Sequence, residues 1–340
     1  MPISTPPLDL LLALVADLLS VPLDSVRIEH TETGIEVKSG WRSLIVEWAP
    51  TGGTAHIAMA IERLKARVPA AGSRLIPLIF TPHMGSVGRE LCTQAQLPWV
   101  DTAGNAHIVL PGMLVRVEGR RPIKKQVGRP SNAFAARSSR ISRVLLLEPT
   151  RAFSQRELAR SAGVDEGFTS RIVQRLEQDQ LVLRDSDGVR VRDTFLMLEA
   201  WRETWNLARM DQCVGHVDAQ SPEELLRRTS ASLSEIGISH ALTGISAARW
   251  TKGREDFPEV VFLVDRLPEP DDAAALRFHA DAVPQNIRFI QIEDPSYLWG
   301  GSSVDDVQVA HPVQIYLDLK GRPNVPKDDH DAMRTAATTA

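Results

Sequence analysis

The amino-acid sequence predicts a multidomain protein of the α/β and α+β classes, and three observations support this fold class. Residues 1–118 and 207–340 each alternate helix-like and strand-like segments, which is typical of α/β domains. Residues 139–206 instead contain short helix patterns followed by a β-hairpin pattern. Residues 119–138 are rich in basic residues and proline, as a linker is. With 340 residues, the chain has room for two or three domains with buried cores.

The first α/β segment begins with an apolar helix that is interrupted by Asp9 and Asp17 and lacks a basic region before it. This pattern predicts a buried helix rather than a signal peptide. After this helix the sequence predicts a three-strand meander, a helix, a strand, a helix and further strands. With the first helix included, the predicted elements are Leu8–Leu19, Ser25–Glu29, Gly34–Lys38, Ser43–Trp48, Thr54–Arg67, Arg74–Phe80, Val87–Ala95, Pro98–Asp101, Ala106–Leu110 and Leu114–Glu118.

This element order is that of a restriction-endonuclease-like core, which raises the question of nuclease chemistry. Such nucleases hold a divalent metal with an acidic residue on one strand and a Glu-x-Lys pair on the next. Glu36 and Lys38 have the Glu-x-Lys spacing, but no aspartate lies on the preceding strand. Glu47 is followed two residues later by Ala49, where the lysine would stand. We therefore expect a degenerate domain with no catalytic residue and no bound metal.

The linker at 119–138 belongs to a longer basic stretch. The net charge of the whole chain is −4, but the charge is unevenly distributed. Eight basic residues and no acidic residue lie between Gly119 and Leu147: Arg120, Arg121, Lys124, Lys125, Arg129, Arg137, Arg140 and Arg143. Arg129, between Gly128 and Pro130, resembles an arm that enters the minor groove of DNA. A solvated basic hinge that only attracts phosphates is the equal alternative.

The central segment has the signals of two consecutive helices. Ser154 and Glu157 form a capping box, and Gly163 suits the left-handed residue that ends a helix. Asp165 can cap the second helix. The predicted buried side of that helix consists of apolar residues at helical spacing: Phe168, Ile172, Val173 and Leu176.

A hairpin follows the two helices, with a turn at Asp185–Gly188 between Leu181–Arg184 and Val189–Arg192. Val189 and Val191 point to one side of it, while Arg190 and Arg192 point to the other. A capped helix, a turn glycine, a basic second helix and an arginine-bearing hairpin, in this order, predict a winged helix-turn-helix that binds DNA.

The second helix is expected to lie in the major groove, and the hairpin to reach flanking phosphates or the minor groove. The predicted DNA-binding residues have side chains that can donate hydrogen bonds to phosphates or base edges. They are Arg129, Gln155, Arg156, Thr169, Ser170, Arg171, Gln174, Arg175, Arg190 and Arg192.

The C-terminal α/β segment carries no convincing catalytic motif. Gly244-Ile245-Ser246 and Asp265 only partly match the metal site of nucleotidyl transferases, because no Asp-x-Asp follows. Its predicted elements are a helix at Pro222–Ile236, strands at Ser239–Gly244, Glu259–Asp265 and Asn286–Glu293, a helix at Asp271–Ala280, a strand or helix at His311–Lys320, and a final segment at Asp329–Thr338.

Three features resemble the AbiEi-like antitoxins and transcriptional regulators: the basic linker before a winged helix, the segment 242–248 and the segment 312–319. The N-terminal block, with Glu47 and the run 100–105, resembles the restriction-endonuclease-like extension of some members. The resemblance implies a repressor that binds inverted repeats in its own operon, in some cases paired with a nucleotidyltransferase toxin. The N-terminal domain is a departure, because the usual members are shorter.

The predicted domains are 1–118, the 119–138 linker, 139–206 for the winged helix-turn-helix and 207–340 for the antitoxin-like α/β domain. The predicted function is a sequence-specific DNA-binding repressor that acts as a homodimer on double-stranded DNA. The resemblance leaves open whether a cognate toxin is a further partner. The alternatives are a nuclease that uses Glu36, Lys38 and Glu47, and a non-enzymatic toxin-neutralising or complex-assembly protein.

Two further expectations concern location and cofactors. Cys92 and Cys213 lack the spacing of a zinc site or a disulfide framework. No apolar run reaches membrane-spanning length, so the sequence predicts a cytoplasmic protein without membrane contact and without a cofactor.

Overall fold

The computed structural model describes residues 5–31, 34–39, 42–68, 75–110, 112–121, 132–280, 282–320 and 325–339. Within these residues the chain is a mixed α/β protein with twelve α-helices and two seven-stranded sheets. No helix in the described part of the chain is both long enough and apolar enough to cross a membrane.

The chain divides into two compact units. The first unit is Met1–Ser131 together with Arg175–Val182, and the second is Asn132–Gln174 together with Leu183–Ala340. The segments 139–206 and 207–340, which we separate on sequence, thus fall largely into one unit, and the boundary at 206 stays a prediction.

The first unit is built on one seven-stranded sheet whose strands follow in chain order. Its elements are α1 (Leu8–Leu19), β1 (Val26–Thr31), β2 (Gly34–Ser39), β3 (Arg42–Trp48), α2 (Thr54–Arg67), β4 (Leu75–Thr81), α3 (Ser86–Gln94), β5 (Trp99–Asp101), β6 (Ala106–Leu110) and β7 (Met113–Val117). The three central strands β3, β4 and β5 are parallel, and the neighbours on both sides pair antiparallel.

Both faces of this sheet are buried, as expected for parallel strands that are connected by helices. Leu44 and Val46 of β3 belong to the apolar cluster that contains Leu11 of α1. Ile45, between them in sequence, belongs to a second cluster with Ile57 of α2. Because successive side chains of a strand point to opposite faces, α1 covers one face of the sheet and α2 covers the other.

The second unit contains the predicted helix pair, its hairpin and the second large sheet. Its elements are α4 (Ser139–Leu147), α5 (Gln155–Ala162), α6 (Glu166–Gln178), β8 (Val182–Asp185), β9 (Gly188–Val191), α7 (Thr194–Thr204), β10 (Gln212–Val217), α8 (Pro222–Glu235), β11 (His240–Leu242), α9 (Gly244–Trp250), β12 (Val260–Val264), α10 (Pro270–Leu276), β13 (Phe278–Ala280), β14 (Ile287–Gln291), β15 (Ser302–Val304), β16 (Val307–Val309), α11 (Pro312–Asp318) and α12 (Lys327–Thr339). The strand order is β13-β10-β14-β12-β11-β16-β15, and β8 pairs with β9. The division between the two units falls inside α6, after Gln174, and near the start of β8.

The structure corrects two predicted elements of the C-terminal segment. The single helix predicted at Asp271–Ala280 is wrong, because Arg277 adopts a left-handed conformation (φ 50°) that ends α10, and β13 follows. The alternative left open at His311–Lys320 resolves as a helix. His311 caps this helix by accepting a hydrogen bond from the Val313 N–H at Nδ1, and Pro312 occupies its first turn.

A buried polar network joins α4 to α11 within the second unit. Arg143 of α4 is only 1% exposed, and its Nη2 donates a 2.8 Å hydrogen bond to Oε1 of Gln314. The Gln314 amide in turn donates to Oδ1 of Asp318 at 2.8 Å. Trp205 Nε1 also donates to Oδ1 of Asp318, at 3.0 Å, and Thr243 Oγ1 donates to Oδ2, at 2.6 Å. Trp205 and Thr243 therefore bond directly to the Asp318 carboxylate of α11, and Gln314 of the same helix links this carboxylate to Arg143 of α4.

Burial shifts the pKa values of the two ionisable groups of this network, Arg143 and Asp318, in opposite directions. Burial lowers the pKa of Arg143 to about 10, so its guanidinium is still charged at neutral pH. This charge lies 4.9 Å from the ring centroid of Trp201 and 5.5 Å from that of Tyr297. Burial raises the pKa of Asp318 to about 6, against the opposing effect of its hydrogen-bond donors.

This raised pKa predicts a pH-dependent difference between the wild type and Asp318→Asn. The folded state holds the Asp318 proton more tightly than the unfolded chain does, so this contribution to stability is present at acidic pH and is lost as pH rises through 6. Asparagine keeps the shape without the charge. From pH 4.5 to 7.5, the stability of Asp318→Asn should rise relative to wild type by about 2 kcal/mol, measured by urea unfolding. Asp271→Asn, at an exposed carboxylate, serves as the control; an equal trend there would contradict the assignment.

Candidate nucleic-acid interface

The helix pair α5–α6 begins and ends at the residues that the sequence indicates. The Ser154 hydroxyl accepts from the Glu157 N–H, and the Glu157 carboxylate accepts from the Ser154 N–H. Gly163 ends α5 in a left-handed conformation with φ 61°. The Asp165 carboxylate then accepts from the Phe168 N–H at 2.7 Å and caps α6. These local signals therefore fix where both helices start and how the first one ends.

The hairpin β8–β9 is joined by a third backbone segment that the sequence analysis missed. Phe153 and Val189 form an antiparallel bridge in which each N–H donates to the other's carbonyl, at 2.9 and 2.8 Å. Gly188 permits this approach, because a Cβ there would lie 2.5 Å from the Phe153 carbonyl oxygen. The segment before α5 is thereby bonded to the hairpin that follows α6. The only sequence signal was a lone large apolar residue, Phe153, between Ala152 and Ser154, which is too short to predict a strand.

The exposed side of α6 carries the polar residues that could contact DNA. Arg171 and Gln174 are exposed, and Ser170 is partly exposed. The opposite side is buried at Ile172, Val173 and Leu176, none more than 1% exposed. The prediction that Arg171 and Gln174 project away from the core is thus confirmed for the side chains themselves, whereas their contact with DNA stays a prediction.

Thr169 was wrongly assigned to the DNA-binding face. It is fully buried, and its hydroxyl donates to the Asp165 carbonyl at 3.0 Å. The buried stripe of α6 starts at Thr169 and continues at intervals of three and four residues to Ile172, Val173 and Leu176. Phe168, which we placed on the buried side because it is apolar, is only partly buried.

Three of the predicted DNA-binding residues are engaged in contacts within the protein. Arg175 Nε donates to the Asp179 carboxylate at 2.8 Å, and Arg190 Nη1 donates to the Asp185 carboxylate at 2.6 Å. Gln155 is partly buried, and its amide donates to the Glu166 carbonyl at 3.3 Å.

The other arginines predicted to contact DNA, Arg156, Arg192 and Arg129, differ in exposure and in their contacts within the protein. Arg156 has a 78% exposed side chain whose Nε lies 4.0 Å from Glu166. Arg192 is exposed at the end of the hairpin. Arg129 lies outside the described residues, as do Lys124 and Lys125 of the basic linker. Arg192 is therefore a better candidate than Arg190 for a phosphate contact from the hairpin.

Arg137 is a candidate contact that the sequence analysis did not select. Its guanidinium lies 5.1 Å from the ring centroid of Phe168 and 3.8 Å from the Asp165 carboxylate, and its side chain is 65% exposed. Arg171 approaches the same ring at 5.9 Å. Two arginines thus flank one aromatic ring at the start of α6. The basic stretch 119–147 contained the signal, but its residues do not reveal which of them folds back onto α6.

The residues considered for nuclease chemistry take part in contacts within the first unit. Arg63 Nη1 donates to the Glu47 carboxylate at 3.0 Å, and Arg67 contacts its second oxygen. On β2, the Glu36 carboxylate accepts from the Thr31 hydroxyl, and Lys38 pairs with Glu29 of the neighbouring strand. Among the described residues, no group of three or more histidine, cysteine or acidic side chains could hold a metal ion.

Comparisons of the chain with protein-family models, with curated proteins and with solved structures gave no match. The function is therefore inferred from the residues and geometry of this chain alone.

The Glu47 contacts predict a stabilising role for this carboxylate. The Glu47 side chain is 12% exposed, and its removal leaves Arg63 and Arg67 without the anion between them. Glu47→Ala should lower the free energy of unfolding by roughly 1–3 kcal/mol in urea titrations. The matched control is Glu62→Ala, because Glu62 pairs with Lys65 on the surface and is 74% exposed; it should change stability by less than about 0.5 kcal/mol.

The same purified proteins test for cleavage. With Mg²⁺ or Mn²⁺, neither the wild type nor Glu47→Ala should cut supercoiled or linear DNA. Wild-type cleavage that disappears in Glu47→Ala without a loss of stability would contradict a structural role.

Proposed function

We propose that the protein is a sequence-specific DNA-binding transcriptional regulator that acts as a repressor. In this proposal, α4, α5, α6 and the β8–β9 hairpin form a winged helix-turn-helix, with α6 as the recognition helix. The exposure of Arg171 and Gln174 opposite a fully buried stripe is the observation that carries the proposal. Arginine and glutamine are the side chains that pair bidentately with guanine and adenine, respectively, in the major groove.

The contacts around α5 and α6 support a winged helix-turn-helix over a pair of helices with no role in DNA binding. The Phe153–Val189 bridge ties the hairpin to the chain before α5, so the hairpin has a defined position beside the helices. Arg137 and Arg171 both lie against the ring of Phe168, at 5.1 and 5.9 Å from its centroid, and this contact favours defined positions for the two guanidinium groups. A side chain that is already ordered loses less entropy when it binds a base.

The carboxylates at the start of α6 bear on which bases the helix would contact. The side chains of Asp165, which caps α6, and of Glu166, its first residue, are 64% and 63% exposed. Arg137 is near the first and Arg156 is near the second, so both charges have a counter-ion. Carboxylates repel phosphates but can accept a hydrogen bond from cytosine N4, which favours a base edge over the DNA backbone at this position.

The flanking α/β parts have supporting roles in the proposal. The order α1, β1–β3, α2, β4 and the parallel pairing of β3 with β4 support a restriction-endonuclease-like core at 1–118. The contacts of Glu47 and Lys38 support a core without nuclease chemistry. An AbiEi-like regulator would bind an inverted repeat with two copies of the chain, and would act in the cytoplasm, with or without a toxin partner.

Arg171→Ala and Gln174→Ala should each reduce sequence discrimination. A cognate site is first selected from a random duplex library with the full-length protein. Each variant should then lose about 1–3 kcal/mol of affinity for the selected duplex and much less for unrelated DNA, in competition gel shifts at fixed salt. The lost contacts would be made to base edges, which only the cognate sequence offers.

Arg192→Ala is the matched control, because an exposed hairpin arginine that touches phosphates should weaken both duplexes equally. Thr169→Val should leave discrimination unchanged, since that side chain is buried. An unchanged specific-to-nonspecific ratio in both Arg171→Ala and Gln174→Ala, or a failure to select any sequence, would refute the proposal.

A further inference from the structure

The carboxyl ends of the parallel strands β3 and β4 bring two helix starts together in the first unit. The segment 49–53 leads from β3 into α2, and the segment 82–85 leads from β4 into α3. Because the strands are neighbours and parallel, both helices begin at the same edge of the sheet. Such an edge is where α/β sheets commonly bind ligands.

The two connecting segments touch each other. Gly52 has φ 65°, and a Cβ at this residue would lie 1.9 Å from the carbonyl oxygen of His83. One turn into the helices, a Cβ at Gly88 of α3 would lie 3.3 Å from Ile57 of α2. Glycine at both positions therefore allows the starts of α2 and α3 to lie side by side, with their positive dipole ends at one edge.

Neither helix start is capped by the side chain of its N-cap residue, although the Thr51 hydroxyl accepts from the Gly53 N–H at 3.2 Å. The N-cap residues are Gly53 for α2 and Gly85 for α3, and neither helix has a side-chain cap hydrogen bond. By contrast, Ser154, Asp193 and Ser221 cap α5, α7 and α8 with side-chain oxygens. The first N–H groups of α2 and α3 have no acceptor among the described residues.

A buried hydroxyl at the same place also has no partner. Thr54, the first residue of α2, is 2% exposed, and its Oγ1 makes no hydrogen bond. The Cα–Cβ bonds of a helix are tilted toward its N-terminal end, so the Thr54 side chain leaves the backbone in the direction of the free N–H groups. Ala55, the next residue, is 1% exposed and brings a further buried N–H. Buried donors without acceptors are uncommon in proteins, and here the unpartnered hydroxyl and the free N–H groups belong to the same helix start.

We propose that this edge of the first unit is a binding site for a phosphate group, supplied as inorganic phosphate or as a phosphate monoester. Main-chain N–H groups of two helix starts and the Thr54 hydroxyl would donate to its oxygens, as helix N-termini do in other phosphate sites. The site lies outside α4–α6 and does not depend on the proposed DNA binding.

The surrounding residues suit an anion at the surface. Thr51, His83 and Ser86 near the two helix starts are exposed, whereas Thr54 is buried. The nearby carboxylate of Asp101 is 1% exposed and already accepts from the N–H groups of Ala103 and Asn105 and from the Asn105 amide. Its Oδ2 also lies 3.9 Å from Nδ1 of His83, so this carboxylate is engaged both by its own loop and by His83.

Two substitutions test the site without removing anything that the fold needs. Gly53→Asp introduces a carboxylate at an N-cap position with φ −69° and ψ 152°, which all residues can adopt. Its Cβ would lie 3.3 Å from the hydroxyl of the exposed Thr51, which must move by a few tenths of an ångström. The substitution should cap α2, keep or raise stability, and repel phosphate. Thr54→Val removes the unpartnered hydroxyl at nearly constant shape, so the protein without phosphate should be no less stable. Thr229→Val is the matched control, because Thr229 Oγ1 is likewise buried without a partner but lies on α8.

Binding is measured on the full-length protein by calorimetry and thermal unfolding, with inorganic phosphate and a nucleoside 5′-monophosphate at matched ionic strength. Wild type and Thr229→Val should bind at least one of the two saturably and equally, whereas Gly53→Asp and Thr54→Val should each bind about tenfold more weakly or worse. Tighter binding of the nucleotide than of phosphate would identify an ester as the source. Absence of saturable binding to both probes, or binding that survives both substitutions, would overturn the proposal.

Discussion

The buried charge of Arg143 constrains much of the second unit. A guanidinium that is almost fully removed from water needs compensation, and Gln314 provides one hydrogen bond while Trp201 and Tyr297 provide aromatic faces. Gln314 can orient its carbonyl toward Arg143 only because its amide donates to Asp318. The position of α4 is therefore linked to α11 through the hydrogen bonds from Arg143 to Gln314 and from Gln314 to Asp318.

This arrangement gives the proposed DNA-binding helices a fixed base. Arg140, also on α4, donates from Nε to both carboxylate oxygens of Asp294, and the Tyr316 hydroxyl of α11 contacts Glu199 of α7. The helices on either side of α5 and α6 in sequence are thus bonded to the C-terminal part of the same unit. A recognition helix must hold its side chains in a defined geometry to discriminate between bases, and rigid neighbours help to supply that geometry.

The sequence predicted well those features that depend on neighbouring residues. The capping box at Ser154, the left-handed Gly163 and the cap at Asp165 are local, and the structure has all three. Burial within α6 was predicted less well, because polarity alone placed Thr169 outside and Phe168 inside. The hydroxyl of Thr169 is satisfied by the carbonyl four residues earlier, so it can be buried without losing a hydrogen bond.

Features that join distant residues could not be predicted in this way. Nothing in the local sequence distinguishes the buried Arg143 from the basic residues around it, because its partners lie more than 50 residues away. The Phe153–Val189 bridge and the approach of Gly52 to His83 also join residues that are far apart in the sequence, so local patterns do not predict them. The helix starts of α2 and α3 illustrate the point: each glycine N-cap is unremarkable alone, and only the parallel pairing of β3 and β4 places their free N–H groups, together with the Thr54 hydroxyl, at one edge. The sequence shows only two ordinary β–α connections at these positions. Hydrogen-bond donors without acceptors come together here because of the sheet topology rather than because of a sequence motif, and this is why we propose an acceptor at this edge.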